Sequence, residues 1–289
     1  MTLSAPDTLA RKAAIVGIGA TEFSKDSGRS EMSLACESVA AALEDAGIAP
    51  ADVDGMVAFS AETNPEIEIA KNLGIGALSF FSRIHHGGGA ACATVQQAVM
   101  AIATGVAEVV VCYRAFNERS GRRFGAGVQD RVPAPTAENA HFAWYSPHGL
   151  LTPAQWVAMF ATRYMHEYGA TSEDFGRVAV ADRQHAANNP KAWFHEQPIT
   201  LEDHQESRWI VEPLHLLDCC QESDGGQALV VTSVERARDL PHPPAVVAAA
   251  AQGTADGQEM MTSYYRDSIT GIPEMGVVAD QLYRTAGLS

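Results

Sequence analysis

Short apolar runs and stretches of helical period alternate along this chain, and the alternation predicts its elements. Ala13–Val16 is an apolar run closed by Gly17 and Gly19, which reads as a buried strand. Ser33–Ala46 carries apolar residues at helical spacing, with Gly47 just past its end as a C-cap. Val53–Phe59 predicts a strand, Pro65–Leu73 a helix closed by Gly74, and Leu78–Phe81 another strand. Ala90–Ala103 predicts a helix of small residues ending near Gly105, and Glu108–Tyr113 a further buried strand. Strands alternating with helices imply βαβ units in a layered α/β fold.

The middle of the chain differs. Asn117–Pro153 is rich in Gly, Pro, Arg and aromatic residues and has no sustained period, the mark of a functional loop. Two helices follow, Pro153–Tyr168 and Ser172–Asn188, the second opened by a capping signal at Thr171–Asp174. A polar stretch runs to about Arg208. Alternation then resumes with a strand at Gln227–Thr232, a short helix at Val234–Arg238 and a strand at Ala245–Ala251. The loop Gly253–Ile272 precedes a last helix, Pro273–Ala286. The pattern predicts a first part at 1–116, a mainly helical insertion and return at 117–226, and a further α/β segment at 227–289. Ala46-Gly47-Ile48-Ala49 and Ala286-Gly287-Leu288-Ser289 form a weak internal repeat, two amphipathic helices closed alike.

Composition narrows the function classes. The chain has 289 residues, 46% hydrophobic and 19% charged, which is ordinary for a globular protein. Its formal charge of −15 argues against non-specific nucleic-acid or anionic-membrane binding. No apolar run reaches the ~20 residues that cross a bilayer, and no signal-peptide core precedes Arg11 and Lys12. Five unpatterned cysteines, with no CxxC, suggest neither a disulfide framework nor a zinc site. A cytoplasmic protein without a metal is expected.

The segment His85-His86-Gly87-Gly88-Gly89-Ala90-Ala91-Cys92 carries the strongest chemical signal. Its glycines let a ligand approach the backbone, and the first N–H groups of the following helix have no internal partner. Such a terminus suits an anion or a developing oxyanion; a tight strand-to-helix turn is the plainer reading. Without a Gly-x-Ser-x-Gly elbow, a serine hydrolase is rejected. Cys92 reads as a small buried packing residue, or else as a nucleophile activated by the helix terminus. Gly17-Ile18-Gly19 lacks the third glycine of a dinucleotide fingerprint and reads as a strand-end turn. The basic island Asn117–Phe124 reads as a solvated loop with ion pairs, or as a phosphate site. The loops around His148 and around Tyr264 and Tyr265, with His85, His86, Cys92 and Cys220, are candidates for an apolar substrate pocket.

Ala14–Phe23, Gly87–Gln96, Gly105–Arg114 and Asp224-Gly225-Gly226 together resemble the thiolase superfamily, and within it the sterol-carrier, lipid-transfer type. Gly-Gly-Gly-Ala-Ala-Cys-Ala-Thr-Val, combined with Arg114–Gly121, is most similar to actinobacterial steroid side-chain aldolases. The resemblance implies a thiolase-like layered α/β/α fold with an inserted, mainly helical loop domain. It implies retro-aldol cleavage of a β-hydroxy acyl-CoA, with a steroid side-chain thioester giving a ketone and a short acyl-CoA such as propionyl-CoA. It also implies a homodimer joined by a small OB-fold partner. Coenzyme A is part of the substrate, and no further cofactor is expected.

One departure decides the mechanism. Counting back from Gly105, the nucleophilic cysteine of true thiolases falls on Gly88, and a glycine cannot form an acyl-enzyme. The N–H groups of Gly88 and Gly89 are then the expected thioester-oxygen donors. The resemblance places the acid and base tyrosines beyond Ser289 and makes the second half of a duplicated fold incomplete here. Two rivals stand beside the aldolase: a degradative acetyl-CoA acyltransferase using Cys92, and a non-catalytic lipid-transfer or scaffold subunit.

Overall fold

A computed structural model describes residues 9–59, 62–84, 91–121, 123, 125, 143–257 and 265–288. It divides into two compact units. The first comprises Met1–Ser120, Ser223–Met260 and Ile272–Ser289; the second comprises Gly121–Glu222 and Met261–Gly271.

The first unit is built on a six-stranded sheet. Its strands are β1 (Ala13–Ala20), β2 (Gly55–Phe59), β3 (Phe80–Ile84), β4 (Val109–Asn117), β7 (Asp224–Ser233) and β8 (Ala245–Val246), in the order β3-β2-β4-β7-β1-β8. β2 runs parallel to β3 and β4, while β7 is antiparallel to both β4 and β1. β1 to β4 therefore share one direction, and their carboxyl ends gather at one edge. Open α/β sheets bind ligands outside that edge.

Helices cover both faces. α1 (Glu31–Ala46) and α2 (Glu66–Leu73) pack on the face bearing Val109, Val111 and Tyr113. α3 (Ala91–Ala103) packs on the opposite face, against Val57, Val110 and Cys112. Burial on both faces is why β4 reads as a continuous apolar run rather than an alternating one.

The glycines of β1 explain how α1 comes so close. Gly17 and Gly19 lie inside the strand, not in a strand-end turn. A β-carbon at Gly17 would fall 2.3 Å from the Ala42 carbonyl oxygen, and one at Gly19 would fall 2.2 Å from that of Ser38. Gly226 on β7 meets the Leu34 carbonyl in the same way, at 2.6 Å. The two strands thus present a glycine floor on which the helix backbone rests.

Several predicted boundaries move. β1, β4 and β7 are longer than the apolar runs that announced them, since their outer residues are paired too. The second strand starts at Gly55, after a 3-10 turn at Pro50–Asp52. Asp54 precedes it and accepts the N–H groups of Glu108 and Val109 at 2.9 Å, fixing the start of β4. The third strand shifts to Phe80–Ile84, and the strand expected over Ala245–Ala251 shrinks to two residues. The shared helix ends are not peculiar to the repeat. Gly47, Gly74, Gly105 and Gly287 all adopt positive φ, and each following apolar residue bonds back five residues. That is a Schellman cap used four times, so the local likeness alone carries no sign of duplication.

The second unit holds α4 (Pro153–Tyr168), α5 (Ser172–Ala187) and α6 (Leu201–Glu206), with a ribbon of β5 (Trp209–Val211) and β6 (Leu214–His215). The Asp174 carboxylate accepts the Thr171 N–H at 2.8 Å, as the capping signal predicts. α6 lies within the stretch that read only as polar, and the ribbon follows just past it, where no element was predicted. The short helix α7 (Val234–Ala237) and the last helix α8 (Pro273–Ala286) return to the first unit.

Gly19→Ala is expected to destabilise the protein by ~3 kcal/mol through overpacking against α1. Gly76→Ala, where a β-carbon meets nothing within 4 Å, is expected to change stability by less than about 0.5 kcal/mol. Chemical denaturation of both variants checks the contrast.

Candidate functional site

The carboxyl edge of the first unit concentrates buried polar groups. On the α1 side, Glu62 is 4% exposed just beyond β2. Its carboxylate accepts the Ala115 N–H at 2.6 Å and the Asn64 N–H at 2.8 Å. Burial raises the Glu62 carboxyl above its ordinary pKa, and the bonds from Ala115, Asn64 and the Arg83 charge offset this only in part. Arg83 on β3 pairs with Glu66 at 3.1 Å and donates to the Glu62 and Asn64 carbonyls. The Tyr113 hydroxyl donates to the Asn64 carbonyl at 2.9 Å. Burial, then the charges of Glu66 and Glu62, push that phenol well above its usual range. The group is a rigid brace, and a phenol held protonated in this way is no base at neutral pH.

Asp224 organises the adjoining loops. It is fully buried at the start of β7. Its carboxylate accepts N–H groups from Ser27, Arg119 and Ser120 at 2.9–3.0 Å and the Ser120 hydroxyl besides. Burial pushes the carboxyl up, but the bonds from Ser120, Ser27 and Arg119 outweigh it and hold the pKa below the ordinary value. One carboxylate thus ties the loop after β1 to the chain leaving β4. The basic island resolves accordingly. Arg119 is held here by its backbone and Arg123 pairs with Glu222 at 2.6 Å, while Arg122 and Phe124 lie outside the described residues.

On the α3 side, Cys92 sits in the helix's first turn and is exposed, which corrects its reading as a buried packing residue. Helix α3 presents Ala93 and Thr94 to the core, so the residue beside them faces out. Arg114 projects from β4 in register with Val110 and Cys112, with its guanidinium 4.9 Å from the Phe59 ring centre and 5.4 Å from that of Phe116. Sequence reading did not single it out. Its signal was a cation in period-two register with the apolar residues of a strand. Cys112 is buried, which pushes its thiol up to about 12, a bond from Thr94 offsetting little; it is no nucleophile.

The expected glycine donors Gly88 and Gly89, with His85, His86 and Tyr264, lie outside the described residues. The other predicted pocket residues fall in the second unit: His148 in an exposed 3-10 turn, Tyr265 exposed, and Cys220 on a cavity wall. That cavity has a volume of about 680 Å³ and is walled by Phe160, Tyr164, Phe175, Val178, Leu217 and Cys220, among others. Beside it, buried His204 bonds Asp218 through Nε2 at 2.7 Å. Cys219, next to Asp218, has its thiol pushed up by burial and by that carboxylate. Among the described residues, no group of three or more His, Cys, Asp or Glu side chains is placed to hold a metal ion. Among them, too, no helix is long and apolar enough to cross a membrane.

Comparison with known proteins adds the chemistry. The profile of the thiolase N-terminal domain matches residues 13–235. The steroid side-chain-cleaving aldolase of Thermomonospora curvata is 72% identical over 277 residues, which is 96% of this chain and 71% of the relative. The 17-hydroxy-3-oxo-4-pregnene-20-carboxyl-CoA lyase of Mycobacterium tuberculosis is 62% identical, over 97% of this chain and 73% of that protein. A solved Ltp2-ChsH2(DUF35) aldolase superposes with a TM-score of 0.90 at 70% identity, covering 97% of this chain and 71% of that one.

Replacing Asp224 by Asn leaves the facing N–H groups short of acceptors and is expected to cost ~3 kcal/mol. A carboxyl with a lowered folded pKa stabilises above its unfolded value near 3.8 and loses that contribution as pH falls further. Stability measured by denaturation from pH 7 to pH 3 should therefore fall less steeply in Asp224→Asn than in the wild type.

Proposed function

Because the chain belongs to the thiolase family, we propose that it cleaves the side chain of a β-hydroxy steroid acyl-CoA by retro-aldol chemistry, releasing a ketone and propionyl-CoA. The 72% identity to a steroid side-chain-cleaving aldolase, across nearly the whole chain, carries this reading. Gly88 supports it, since the position aligned with the thiolase nucleophile has no side chain to acylate.

The reaction balances without an oxidant, a reductant or a metal. A base takes the β-hydroxyl proton, and the β-oxygen becomes a ketone as the Cα–Cβ bond breaks. The electron pair of that bond forms the thioester enolate, which an acid protonates at Cα. In this chain the oxyanion donors are the N–H groups of Gly88 and Gly89. The brace of Glu62, Arg83 and Tyr113 holds β2, β3 and β4 together at the carboxyl edge.

The protein acts as a homodimer with a small OB-fold partner of the DUF35 type. Supporting the first, β3 is a sheet edge whose Phe81 is 62% exposed. Supporting the second, the similar solved aldolase pairs Ltp2 with ChsH2, a DUF35 protein. Five free cysteines fit a reducing cytoplasm.

The test is product analysis with the partner present. A β-hydroxy steroid CoA ester should yield ketone and propionyl-CoA in equal amounts. Cys92→Ser should keep kcat within about threefold, with no acyl adduct on the intact protein by mass spectrometry. Loss of activity in that variant, together with an acyl adduct on the wild type, would instead establish a thiolase. Ligand binding with no turnover would establish a carrier.

A further inference from the structure

We infer that the cavity of the second unit is a binding site for a steroid-type fused-ring ligand, whose ring ketone accepts a hydrogen bond from Arg183; the choice of ring system rests on the aldolase reading above. Two helix stripes make its walls. Val157, Phe160, Ala161 and Tyr164 recur at helical spacing on α4, and Phe175, Val178, Ala179 and Ala186 do so on α5. Stripes of this kind on consecutive helices ordinarily close on each other. Here both line a space of about 680 Å³, within the roughly 300–1,000 Å³ of a small-ligand pocket.

Neighbouring segments hold these walls in place. A β-carbon at Gly176 would fall 2.7 Å from His204 Nδ1, so this glycine lets α6 lie against α5. Gln205 of α6 donates to the Ser172 hydroxyl at 3.2 Å. Another wall residue, Ile269, belongs to the segment that α4 ties down. Arg163 donates to the Arg266 carbonyl and, at 2.8 Å, to that of Asp267, and Tyr168 bonds Thr270 at 3.2 Å. The space is thus set by bonds within the protein, and a ligand entering it meets walls already ordered.

Charge decides the chemistry of the ligand. Among the described lining residues, Arg183 is a cation beside two carboxylates, Asp182 and Asp218. Its guanidinium lies 3.6 Å from the Phe194 ring centre, and Nη1 donates to the Gln197 carbonyl at 3.2 Å. A five-donor group so placed has donors to spare. The Asp218 oxygens are taken by His204 Nε2 and the His215 N–H, both at 2.7 Å. Two carboxylates against one cation disfavour an anionic ligand such as a fatty acid. A neutral oxygen acceptor on an apolar body fits this lining. Phe160, Tyr164, Phe175 and Phe194 offer ring faces to a rigid ring system, which loses little conformational freedom on binding.

Equilibrium dialysis of the full-length protein with its partner tests this, with progesterone as the probe. The wild type should prefer progesterone about tenfold to a hundredfold over its analogue without the ring ketone, the span of a hydrogen bond to a charged donor. Palmitate should bind more weakly than progesterone. Arg183→Met should bind the two steroids alike, and Ala179→Trp, which fills the cavity, should lose most of the affinity for progesterone. A further readout needs no variant. Cys220, exposed on the cavity wall, should react several-fold more slowly with N-ethylmaleimide when progesterone is bound, as peptide mapping would show. That readout and Arg183→Met carry the test if Ala179→Trp does not fold. No progesterone binding, tighter binding of palmitate, unprotected Cys220, or an unchanged steroid preference in Arg183→Met overturns the inference, as does unchanged affinity in a folded Ala179→Trp protein. None of these measurements needs turnover. Cleavage of the β-hydroxy ester without progesterone binding would leave the aldolase reading standing, whereas binding without any cleavage would sink that reading and leave the steroid site.

Discussion

Helix α1 lies on the sheet at backbone distance, and the rest of the first unit depends on that contact. Its carbonyls at Leu34, Ser38 and Ala42 occupy the places where β-carbons of Gly226, Gly19 and Gly17 would stand. Three glycines on two paired strands make such an approach feasible, and no other residue fits there. The contact locks β1 against β7, with Gly19 opposite Ala228 and Ala20 opposite Gln227. It also sets where α1 begins, at the Ser30 cap, and so where the loop from Phe23 to Arg29 must run.

From this floor the carboxyl edge is assembled by short, directed bonds. Asp224 continues β7 past Gly226 and gathers the loop before α1 and the end of β4 onto one carboxylate. Glu62 does the same for β2 and β4, accepting from Ala115 and Asn64. Both acids are spent on backbone N–H groups, which makes them structural, and their opposite pKa displacements show how. Asp224 has enough donors to outweigh its burial; Glu62 does not. Among the described residues, the α3 side of this edge carries the exposed Cys92 and the Arg114 cation between Phe59 and Phe116.

Much of this was legible in the sequence. The strands and helices of the first unit follow from apolar runs and glycine stops, and the chain's placement among thiolase-like aldolases follows from the sequence of Gly87–Gln96 and of Arg114–Gly121. Other features were not legible, for identifiable reasons. Gly17 and Gly19 resemble a turn because a glycine's close approach is felt only through its distant partner, here α1. The helix Leu201–Glu206 and the ribbon after it escaped because a six-residue helix spans too few turns to show a period. Cys92 looked like packing among its alanine neighbours, although it faces out. Arg114 stood inside an apolar strand, and its aromatic neighbours Phe59 and Phe116 are known only from the fold.

The central proposal is that a thiolase fold with Gly88 at the place of the thiolase cysteine breaks a carbon–carbon bond with no acyl transfer. The most direct measurement is the dependence of cleavage on added free coenzyme A, run in heavy water with the partner present. Retro-aldol cleavage requires no added coenzyme A and places a single deuterium at the α-carbon of the released propionyl-CoA. Cleavage that proceeds only when free coenzyme A is supplied and consumed would contradict the account.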